Sequence, residues 1–552
     1  MIFIAFSQIA YNQTRTVGTI YTTEDALDGY TFFSPFSSTK AFMVDNCGRL
    51  INQWDRGTLP GLSAYFLESG LMLRTYKTDP EGPFTSASNA GGIELVDWDN
   101  NTVWSYELNT SEQLSHHDVA LMPNGNILML TWELIDAEEL VALGRDPQEI
   151  APQGFAWNEK IIEVKPIFEN NDIEIIWTWK IKDHYVQDFD PDQNNFGIIS
   201  EHPERFDINL PDLNSPNSHS DLDYNHFNAI DYNEDLDQIL ISVRNSDEIW
   251  IIDHSTTTKE AATTKGGKYG KGGDLLYRWG NPASYQRATL ADEILFGQHG
   301  VHWVKDGIHK GKILIYNNGN GRPGQDYSTI ELLVPEQNVD GSYPVTTTEP
   351  FGPEASEWTY GQANGEFFYS PFLSNAQFLS NGNLLINAGS PGNIFEITPD
   401  KELVWQYKIP LFGNTPATQG DNVNNNGVFR VYKFSKNFVG FDDLDIVPGP
   451  TIETDPTPLD CDGVTSTTES IDFGSQITVS YQDRMIQVDN LSELRPLILS
   501  IYNIQGILLT QEELLDGMNE LDFESQIDQI LFLQVNQLGK NVLTKKIFST
   551  RQ

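Results

Sequence analysis

Basic residues and cysteines are both scarce in this sequence. Its 552 residues include 34 Lys and Arg against 78 Asp and Glu, for a formal net charge of -44. A surface of this charge repels nucleic acid and anionic membranes at long range, so we expect no nucleic-acid partner. The two cysteines, Cys47 and Cys461, lie far apart, which is not the pattern of a zinc knuckle or a redox motif.

Long apolar runs are absent as well. No stretch reaches about 18 apolar residues, so the sequence predicts no transmembrane segment. Residues 1–10 are apolar and end in a small residue, which is typical of the last part of a secretory signal peptide. We interpret them as a signal-peptide remnant. Histidine is confined to one region, because all ten histidines fall between His116 and His309.

The sequence does contain an internal repeat. Each unit has an inner strand, polar turns rich in Asn-Gly or Asp, alternating strands, and a closing strand that carries an aromatic residue. The closing residues are Trp54, Trp104, Trp177, Trp279, Trp405 and, in the fifth unit, Trp358 or Phe367. The six units lie at about 20–54, 62–108, 117–182, 226–280, 299–360 and 374–410. Four-stranded repeats of this length predict an all-β fold, a six-bladed β-propeller.

Composition divides the chain into domains. The propeller is predicted over 11–445, with its ring closed by pairing of Val428–Tyr432 with Thr14–Tyr21. Long insertions at 133–157, 183–225, 255–273 and 340–365 have the composition of surface loops. Residues 446–474 are rich in Pro, Thr and Asp and predict an extended linker. Residues 475–552 alternate as short strands and predict a small β-sandwich-like domain.

The C-terminal domain has its own resemblance. Its segments Leu499–Gly506, Leu514–Asn519 and Phe532–Val535 resemble the C-terminal sorting domain of the type IX secretion system of Bacteroidetes. The resemblance implies export by that secretion machinery. The protein would then be secreted or attached to the cell surface, after passing through the periplasm. The alternative is an ordinary β-sandwich accessory domain.

Three histidines occupy one place in consecutive repeats. His117, His226 and His299 each precede, by six residues, a turn that leads into an apolar strand. Equivalent inner-strand residues of a propeller converge on its central channel, so we expect these imidazoles to lie around one sector of it. Leu62 and Ser374 take this place in two other units, so the ring of histidines is partial.

Two further polar residues point to an anion at this place. Asn228 lies two residues after His226 and should face the same side of its strand. Arg244 lies on the next strand within an apolar run, where an unpaired guanidinium would be costly. With the imidazoles they predict a cradle for sulfate or phosphate. A structural ion pair of Arg244 with an acidic neighbour remains the alternative.

These motifs resemble those of bacterial arylsulfate sulfotransferases. The resemblance covers about 20–435 and rests on the segments His116–Asp118, Pro123–Asn126, His226–Asn228 with Arg244, Tyr269–Pro282 and Phe296–His299. It implies a six-bladed propeller that moves a sulfuryl group from a phenolic sulfate ester to a phenolic acceptor. The reaction would pass through a sulfohistidine and need neither a nucleotide sulfate donor nor another cofactor.

The resemblance also implies roles for single residues. His299 is the nucleophile, while His117, His226, Asn228 and Arg244 hold the sulfuryl oxygens. The histidines can also handle the proton of the phenol. His116 and Arg322 are weaker candidates for contact with the substrate, and an orienting or packing role is the alternative for His116.

Two other functions stay open at this stage. One is a secreted, non-catalytic propeller that binds sulfated or phenolic ligands. The other is a lyase or hydrolase whose metal is held by the three histidines, although Arg244 beside them disfavours a divalent cation. The acidic stretches at 188–193 and 221–224 lack the full spacing of a calcium loop. We therefore expect no resident metal.

Overall fold

A computed structural model of the chain describes residues 15–210, 222–362, 366–423, 426–442 and 444–456, and then 477–482, 485–490, 497–502, 508–515, 517–522, 529–537 and 540–549. The predicted signal-peptide remnant at 1–10 and residues 457–474 of the predicted linker lie outside this part of the chain. Secondary structure is almost entirely β, as predicted.

The N-terminal region contains 29 described strands, joined by short turns and by several long loops. The first twelve, in chain order, are β1 Gly18–Thr22, β2 Gly29–Pro35, β3 Lys40–Asp45, β4 Leu50–Asp55, β5 Pro60–Phe66, β6 Met72–Lys77, β7 Gly91–Val96, β8 Thr102–Glu107, β9 Gln113–Leu121, β10 Ile127–Asp136, β11 Phe155–Ile167 and β12 Asp172–Lys180. The next ten are β13 Tyr185–Val186, β14 Phe206–Asp207, β15 Phe227–Asn233, β16 Gln238–Val243, β17 Glu248–Asp253, β18 Tyr277–Trp279, β19 His299–Trp303, β20 Ile313–Asn317, β21 Thr329–Leu333 and β22 Trp358–Tyr360. The last seven are β23 Asn375–Phe378, β24 Leu384–Ala388, β25 Asn393–Ile397, β26 Leu403–Lys408, β27 Leu411–Phe412, β28 Thr415–Pro416 and β29 Val428–Ser435. Two short helices are α1 Ala137–Ala142 and α2 Thr258–Ala261. Single 3-10 turns lie at Pro147–Glu149, Ile181–His184, Ile199–Glu201, Arg244–Ser246, Pro282–Tyr285, Leu290–Asp292, Gly307–His309 and Val439–Phe441.

Six antiparallel sheets form the blades of a β-propeller, as the repeats predict. From the inner to the outer strand, blade 1 is β29-β2-β3-β4, blade 2 is β5-β6-β7-β8 and blade 3 is β9-β10-β11-β12. Blade 4 is β15-β16-β17-β18, blade 5 is β19-β20-β21-β22 and blade 6 is β23-β24-β25-β26 with β1 at its outer edge. Apolar side chains of neighbouring blades pack together, as Trp179 of blade 3 does with Phe227 of blade 4.

Two strand pairings close the propeller ring, and the predicted pairing of Val428–Tyr432 with Thr14–Tyr21 is wrong. Strand β29 pairs with β2, where Phe33 lies opposite Val431, and so completes blade 1 from the inside. Strand β1 pairs instead with β26, where Thr19 lies opposite Tyr407, and extends blade 6 on the outside. Both end strands alternate in hydrophobicity, and that pattern does not identify a partner strand.

Five closing tryptophans link their own blade to the next. Each lies on the fourth strand of its blade, counted from the channel, and directs its indole N–H to a neighbouring blade. The bonds run from Trp54 to the Asp97 carbonyl at 2.8 Å, from Trp104 to the Asp172 carbonyl at 3.2 Å, from Trp177 to Thr256 Oγ1 at 3.1 Å, from Trp279 to the Pro353 carbonyl at 2.7 Å and from Trp405 to the Asn46 carbonyl at 2.9 Å.

Two predicted irregular segments are more ordered than expected. The insertion at 133–157 is partly strand, because β10 runs to Asp136 and β11 begins at Phe155. The start of the predicted linker is also docked on the propeller. Leu50 N–H donates to the Pro450 carbonyl at 2.9 Å, and Thr454 N–H donates to the Ala417 carbonyl at 2.9 Å. Cys47, near this seam, is disulfide-bonded.

The C-terminal region contains seven described strands. They are β30 Ile477–Gln482, β31 Met485–Asn490, β32 Leu497–Tyr502, β33 Leu508–Leu514, β34 Gly517–Asp522, β35 Gln529–Gln537 and β36 Lys540–Ser549. They form one sheet in the order β30-β31-β34 and another in the order β33-β32-β35-β36. The sandwich-like packing and the sorting role of 475–552 stay predictions.

Candidate active site

A cavity opens where inner strands of the propeller begin. Its volume is about 460 Å³, within the usual range of small-molecule sites. His117, His226, His299 and Arg244 all line it, so the structure brings together four of the predicted site residues. We call it the histidine cavity. Its other lining residues are Phe36, Leu62, Thr85, Ser86, Ala87, Ser88, Trp157, Leu222, Asp223, Phe372, Leu373 and Phe429.

A shared backbone feature directs side chains into this cavity. His117 and His226 have left-handed backbones, with φ of 46° and 57°, and Leu62 and Ser374 have φ of 102° and 93° at the equivalent positions. In blade 5 the left-handed residue is Gly300, with φ of 61°. The pairing of the inner strands is irregular at this level in blades 2 to 5. Bulges of this kind turn a side chain away from its regular face.

The tautomer of His299 follows from its neighbours. Its Nδ1 lies 2.9 Å from the Gly297 carbonyl oxygen and 2.8 Å from Asn318 Oδ1. A carbonyl oxygen can only accept, so Nδ1 carries the proton. The orientation of Asn318 is fixed too, because its Nδ2 donates to the carbonyls of Ser370 and Leu373 at 2.7 and 3.1 Å. The lone pair of His299 is therefore on Nε2.

His299 and His117 are neutral near pH 7. Burial, followed by the charge of Arg244, lowers the pKa of His299 well below its usual value. Burial, followed by the imidazole of His226, lowers the pKa of His117 in the same way. A neutral imidazole keeps its lone pair, so His299 offers a nucleophilic nitrogen without first losing a proton.

A chain of hydrogen bonds runs from Glu159 to Asp223 through three histidines. Glu159 Oε2 lies 3.0 Å from His116 Nε2, and His116 Nδ1 lies 2.8 Å from His117 Nδ1. His117 Nε2 lies 3.1 Å from His226 Nε2, and His226 Nδ1 lies 2.6 Å from Asp223 Oδ2. We call these five residues the histidine relay. Blades 3 and 4 supply its histidines and bring them into contact.

Arg244 lies in the cavity but not within a strand. Strand β16 ends at Val243, and Arg244 begins the 3-10 turn Arg244–Ser246 that follows. Its Nη1 donates to Asn245 Oδ1 at 3.0 Å, and its charge helps to lower the pKa of His299. The end of the strand places this cation at the wall of the cavity.

Asn228 and His116 are buried but are not among the residues that line the cavity. Asn228 does not follow the alternation expected from His226, because His226 itself is left-handed and a bulge between Phe227 and Ala229 follows it. Its Nδ2 donates to the Gln298 carbonyl at 2.8 Å. His116 stacks on Trp132 with ring centroids 4.1 Å apart and belongs to the relay. A direct role of either residue in substrate binding stays a prediction.

Arg322 also lies away from the residues that line the histidine cavity. Its guanidinium packs over the rings of Tyr327 and Phe296, at 4.4 and 4.9 Å from their centroids. Its Nη2 donates to Thr329 Oγ1 at 3.4 Å. The predicted contact of Arg322 with the substrate stays a prediction.

Several residues of the site were missed by the sequence analysis. Asp223 belongs to the acidic stretch 221–224, three residues before His226, and that spacing was the available signal. Glu159 and Asn318 gave no signal, because each lies outside the repeat position of the histidines. The same holds for the aromatic wall, whose members come from unrelated loops and strands and are Phe36, Trp157, Phe372 and Phe429.

The histidines of the cavity are not grouped as metal ligands. Among the residues that the structure describes, no group of three or more His, Cys, Asp or Glu side chains is placed to hold a metal ion. In the relay the Nε2 atoms of His117 and His226 face each other at 3.1 Å, a hydrogen-bond distance. No helix in the described part of the chain is long and apolar enough to cross a membrane.

A family model supplies the decisive comparison. The model of the arylsulfotransferase (ASST) family matches residues 38–410, which contain most of the blade strands and His117, His226, Arg244 and His299. The chain belongs to the arylsulfotransferase family. It is therefore an aryl sulfotransferase, a transferase.

Other comparisons with this arylsulfotransferase are distant. A protein of unknown function from Bacteroides caccae has 11% identity and a TM-score of 0.40, over 74% of this chain and 100% of its own. Virginiamycin B lyase from Staphylococcus aureus has 11% identity and a TM-score of 0.30, over 73% and 87%. The periplasmic gluconolactonase of Pseudomonas aeruginosa has 8% identity and a TM-score of 0.33, over 74% and 99%. No curated protein matches the chain.

Proposed function

We propose that this arylsulfotransferase moves a sulfuryl group from an aryl sulfate ester to a phenol through a sulfohistidine on His299. The observation that carries the proposal is the state of His299. Its Nδ1–H is held by the Gly297 carbonyl and Asn318, so Nε2 has a lone pair at the cavity wall. Its lowered pKa keeps that nitrogen unprotonated near pH 7.

The other walls suit the two parts of an aryl sulfate. Arg244 offers donors to the sulfuryl oxygens, whose charge grows in the transition state, and His117 and His226 line the same side of the cavity. Phe36, Trp157, Phe372 and Phe429 offer apolar faces to the aryl ring. The cavity therefore combines a cationic, hydrogen-bonding side with an aromatic side.

The proposed reaction has two balanced steps. His299 Nε2 forms a bond to sulfur while the bond from sulfur to the aryl oxygen breaks, and its electron pair leaves with the phenolate, which takes up a proton. An acceptor phenol then loses its proton, and its oxygen attacks the same sulfur. The nitrogen–sulfur bond breaks, and its electron pair returns to Nε2. No nucleotide and no redox partner are needed.

The test is transfer from 4-nitrophenyl sulfate to a phenol, with His299→Asn as the variant. We expect the wild type to release nitrophenol and to carry acid-labile, protein-bound sulfate when the acceptor is left out. His299→Asn should lose turnover by about 10³-fold or more, since removal of a nucleophile has effects of this size or larger.

His302→Asn is the matched control. His302 lies on the same strand, β19, but lines a different cavity. The control should keep most of the activity. Tight binding of aryl sulfate without turnover in the wild type would instead support the non-catalytic binding alternative. Transfer without protein-bound sulfate would contradict the sulfohistidine.

We further propose that 475–552 directs export by a type IX secretion machinery and places the enzyme outside the cell. The support is the motif resemblance, together with the apolar N-terminal segment expected of a signal peptide. Deletion of 475–552 should leave active enzyme in the periplasm of a Bacteroidetes host. Unchanged appearance of the truncated enzyme in the medium or on the cell surface would contradict this role.

A further inference from the structure

The histidine relay contains four hydrogen bonds in a row. They connect Glu159 to His116, His116 to His117, His117 to His226, and His226 to Asp223. All four contacts are short, between 2.6 and 3.1 Å. The two contacts between imidazoles join nitrogen to nitrogen, and each of them needs a hydrogen on one side and a lone pair on the other.

Counting hydrogens shows that the relay holds one more proton than its neutral rings supply. Three neutral imidazoles carry three N–H groups, and an ionised carboxylate at each end carries none. If His116 Nε2–H donates to Glu159 and His226 Nδ1–H donates to Asp223, His117 has one hydrogen left for two contacts. One contact would then set two lone pairs against each other. A fourth proton removes this conflict.

We propose that the histidine relay stores this fourth proton and exchanges it with the phenols during sulfuryl transfer. The proposal rests on the proposed function and makes Glu159, His116 and Asp223 positioning residues for it. In the first step the hydrogen between His117 Nε2 and His226 Nε2 passes to the leaving phenolate as a proton, and the relay keeps three protons. In the second step the acceptor phenol gives its O–H proton back, and the relay has four again.

The charges around the relay indicate where the stored proton rests. Burial raises the pKa of Glu159, although His116 counteracts it. Burial alone would raise the pKa of Asp223 as well, but the contact with His226 lowers it. His117 in the middle has a lowered pKa because of burial and its histidine neighbours. The stored proton therefore rests at the Glu159–His116 end, away from the cavity.

Buried surroundings keep the stored proton from exchanging freely with water. His116 is 1% exposed and is stacked on Trp132, and the Glu159 carboxylate has no exposed surface. Glu159 Oε1 accepts the Phe227 N–H at 2.8 Å, which fixes the carboxylate. Only the His117–His226 contact and Asp223 reach the cavity lining, so the relay opens where a phenol oxygen would lie.

The test is Glu159→Gln, assayed with two donors that differ in their need for a proton. A glutamine amide can donate to His116 Nε2, which satisfies all four hydrogen bonds with neutral rings but with a hydrogen that cannot be transferred. Phenyl sulfate releases a basic phenolate, whereas 4-nitrophenyl sulfate releases a stable one. We expect kcat/KM for the donor, which reports the first step alone, to fall by about 10²-fold with phenyl sulfate and by no more than about threefold with 4-nitrophenyl sulfate.

Two further variants complete the experiment. Glu163→Gln is the matched control, because Glu163 also lies on β11 and pairs with a histidine, His254, at 3.1 Å, but outside the relay. Any loss of activity in Glu163→Gln should be the same with phenyl sulfate and with 4-nitrophenyl sulfate. Asp223→Asn changes the other end of the relay and should show the same donor-dependent loss. Asp223→Asn takes the place of Glu159→Gln in the experiment if Glu159→Gln does not fold.

The outcomes are distinguishable. An equal loss with both donors, or no loss with either, in folded Glu159→Gln would overturn the relay. A wild type that forms no protein-bound sulfate would overturn the proposed function instead. Circular dichroism and the melting temperature show which variants are folded. A larger loss with phenyl sulfate than with 4-nitrophenyl sulfate, in a wild type that does form protein-bound sulfate, supports both.

Discussion

At the scale of single residues, the chemistry depends on which nitrogen of each imidazole carries hydrogen. His299 is held in one tautomer by Gly297 and Asn318, acceptors that come from two different segments. Asn318 is held in turn by two carbonyls of the segment before blade 6. The nitrogen of His299 that keeps its lone pair is thus set by the neighbouring Gly297 carbonyl and by packing across the boundary between blades 5 and 6.

Arg244 gives a prediction at this scale. Its charge disfavours protonation of His299, so the pKa of His299 should rise in Arg244→Gln. In the proposed mechanism His299 attacks as a neutral imidazole, so the acid side of the pH profile of kcat/KM should move to higher pH. The measurement is this profile with 4-nitrophenyl sulfate, and its shape is the readout because binding will also weaken.

The control for this prediction is Lys305→Gln. It removes one positive charge from an exposed side chain that lines the other cavity. Its pH profile should match that of the wild type. If both variants move the acid side equally, the effect comes from net charge and not from Arg244. An unchanged profile in Arg244→Gln would also contradict the prediction.

At the scale of elements, the outer strands hold the ring together through their tryptophans. Trp54→Phe keeps the packed ring but removes the hydrogen bond to the Asp97 carbonyl at 2.8 Å. We expect the free energy of unfolding to fall by about 1–3 kcal/mol, because a carbonyl loses its partner where water is largely excluded. Denaturant unfolding with unchanged secondary structure is the measurement.

Trp358→Phe is the comparison for that variant. Trp358 lies on the outer strand of blade 5 and is only partly buried, so its replacement should change stability by about 0.5 kcal/mol or less. Similar losses in both variants would mean that ring size, and not the link between blades, decides stability.

Prediction from the sequence was most successful for the strands and turns, but it failed for the pairing of some strands and for the direction of some side chains. Alternating strands, Asn-Gly turns and tryptophans such as Trp54 predicted the six blades, because these signals are local. The partner of Val428–Tyr432 was predicted wrongly, because pairing depends on which edge the ring leaves open. Asn228 was expected to follow His226 on one face, but a left-handed residue interrupts the alternation. Glu159 could not be found, since only folding brings it to His116.

At the scale of the whole molecule, a strongly acidic protein must attract an anionic donor. The net charge of -44 opposes the approach of an aryl sulfate, while Arg244 and the imidazoles act only within the cavity. Added salt screens the long-range repulsion more than the short-range contacts. We expect kcat/KM for 4-nitrophenyl sulfate to rise by roughly two- to tenfold as salt increases from low to physiological strength.

The neutral acceptor is an internal control for this prediction. An uncharged phenol does not respond to the field of the protein, so its kcat/KM should stay nearly constant over the same range of salt. Both constants can be measured on one preparation by varying donor and acceptor separately. A decrease for the donor would mean that the local cations outweigh the net charge along the whole path of approach.

The left-handed residues of the inner strands bear on how such an enzyme changes over evolutionary time. Leu62 and Ser374 have a positive φ, as His117 and His226 do, and Leu62 shares the cavity wall with them. The scaffold therefore already presents side chains at positions that carry no chemistry. A single codon change there could add an acid, a base or a size filter without new loops, so acceptor preference can diverge between related chains while the fold and the nucleophile stay the same.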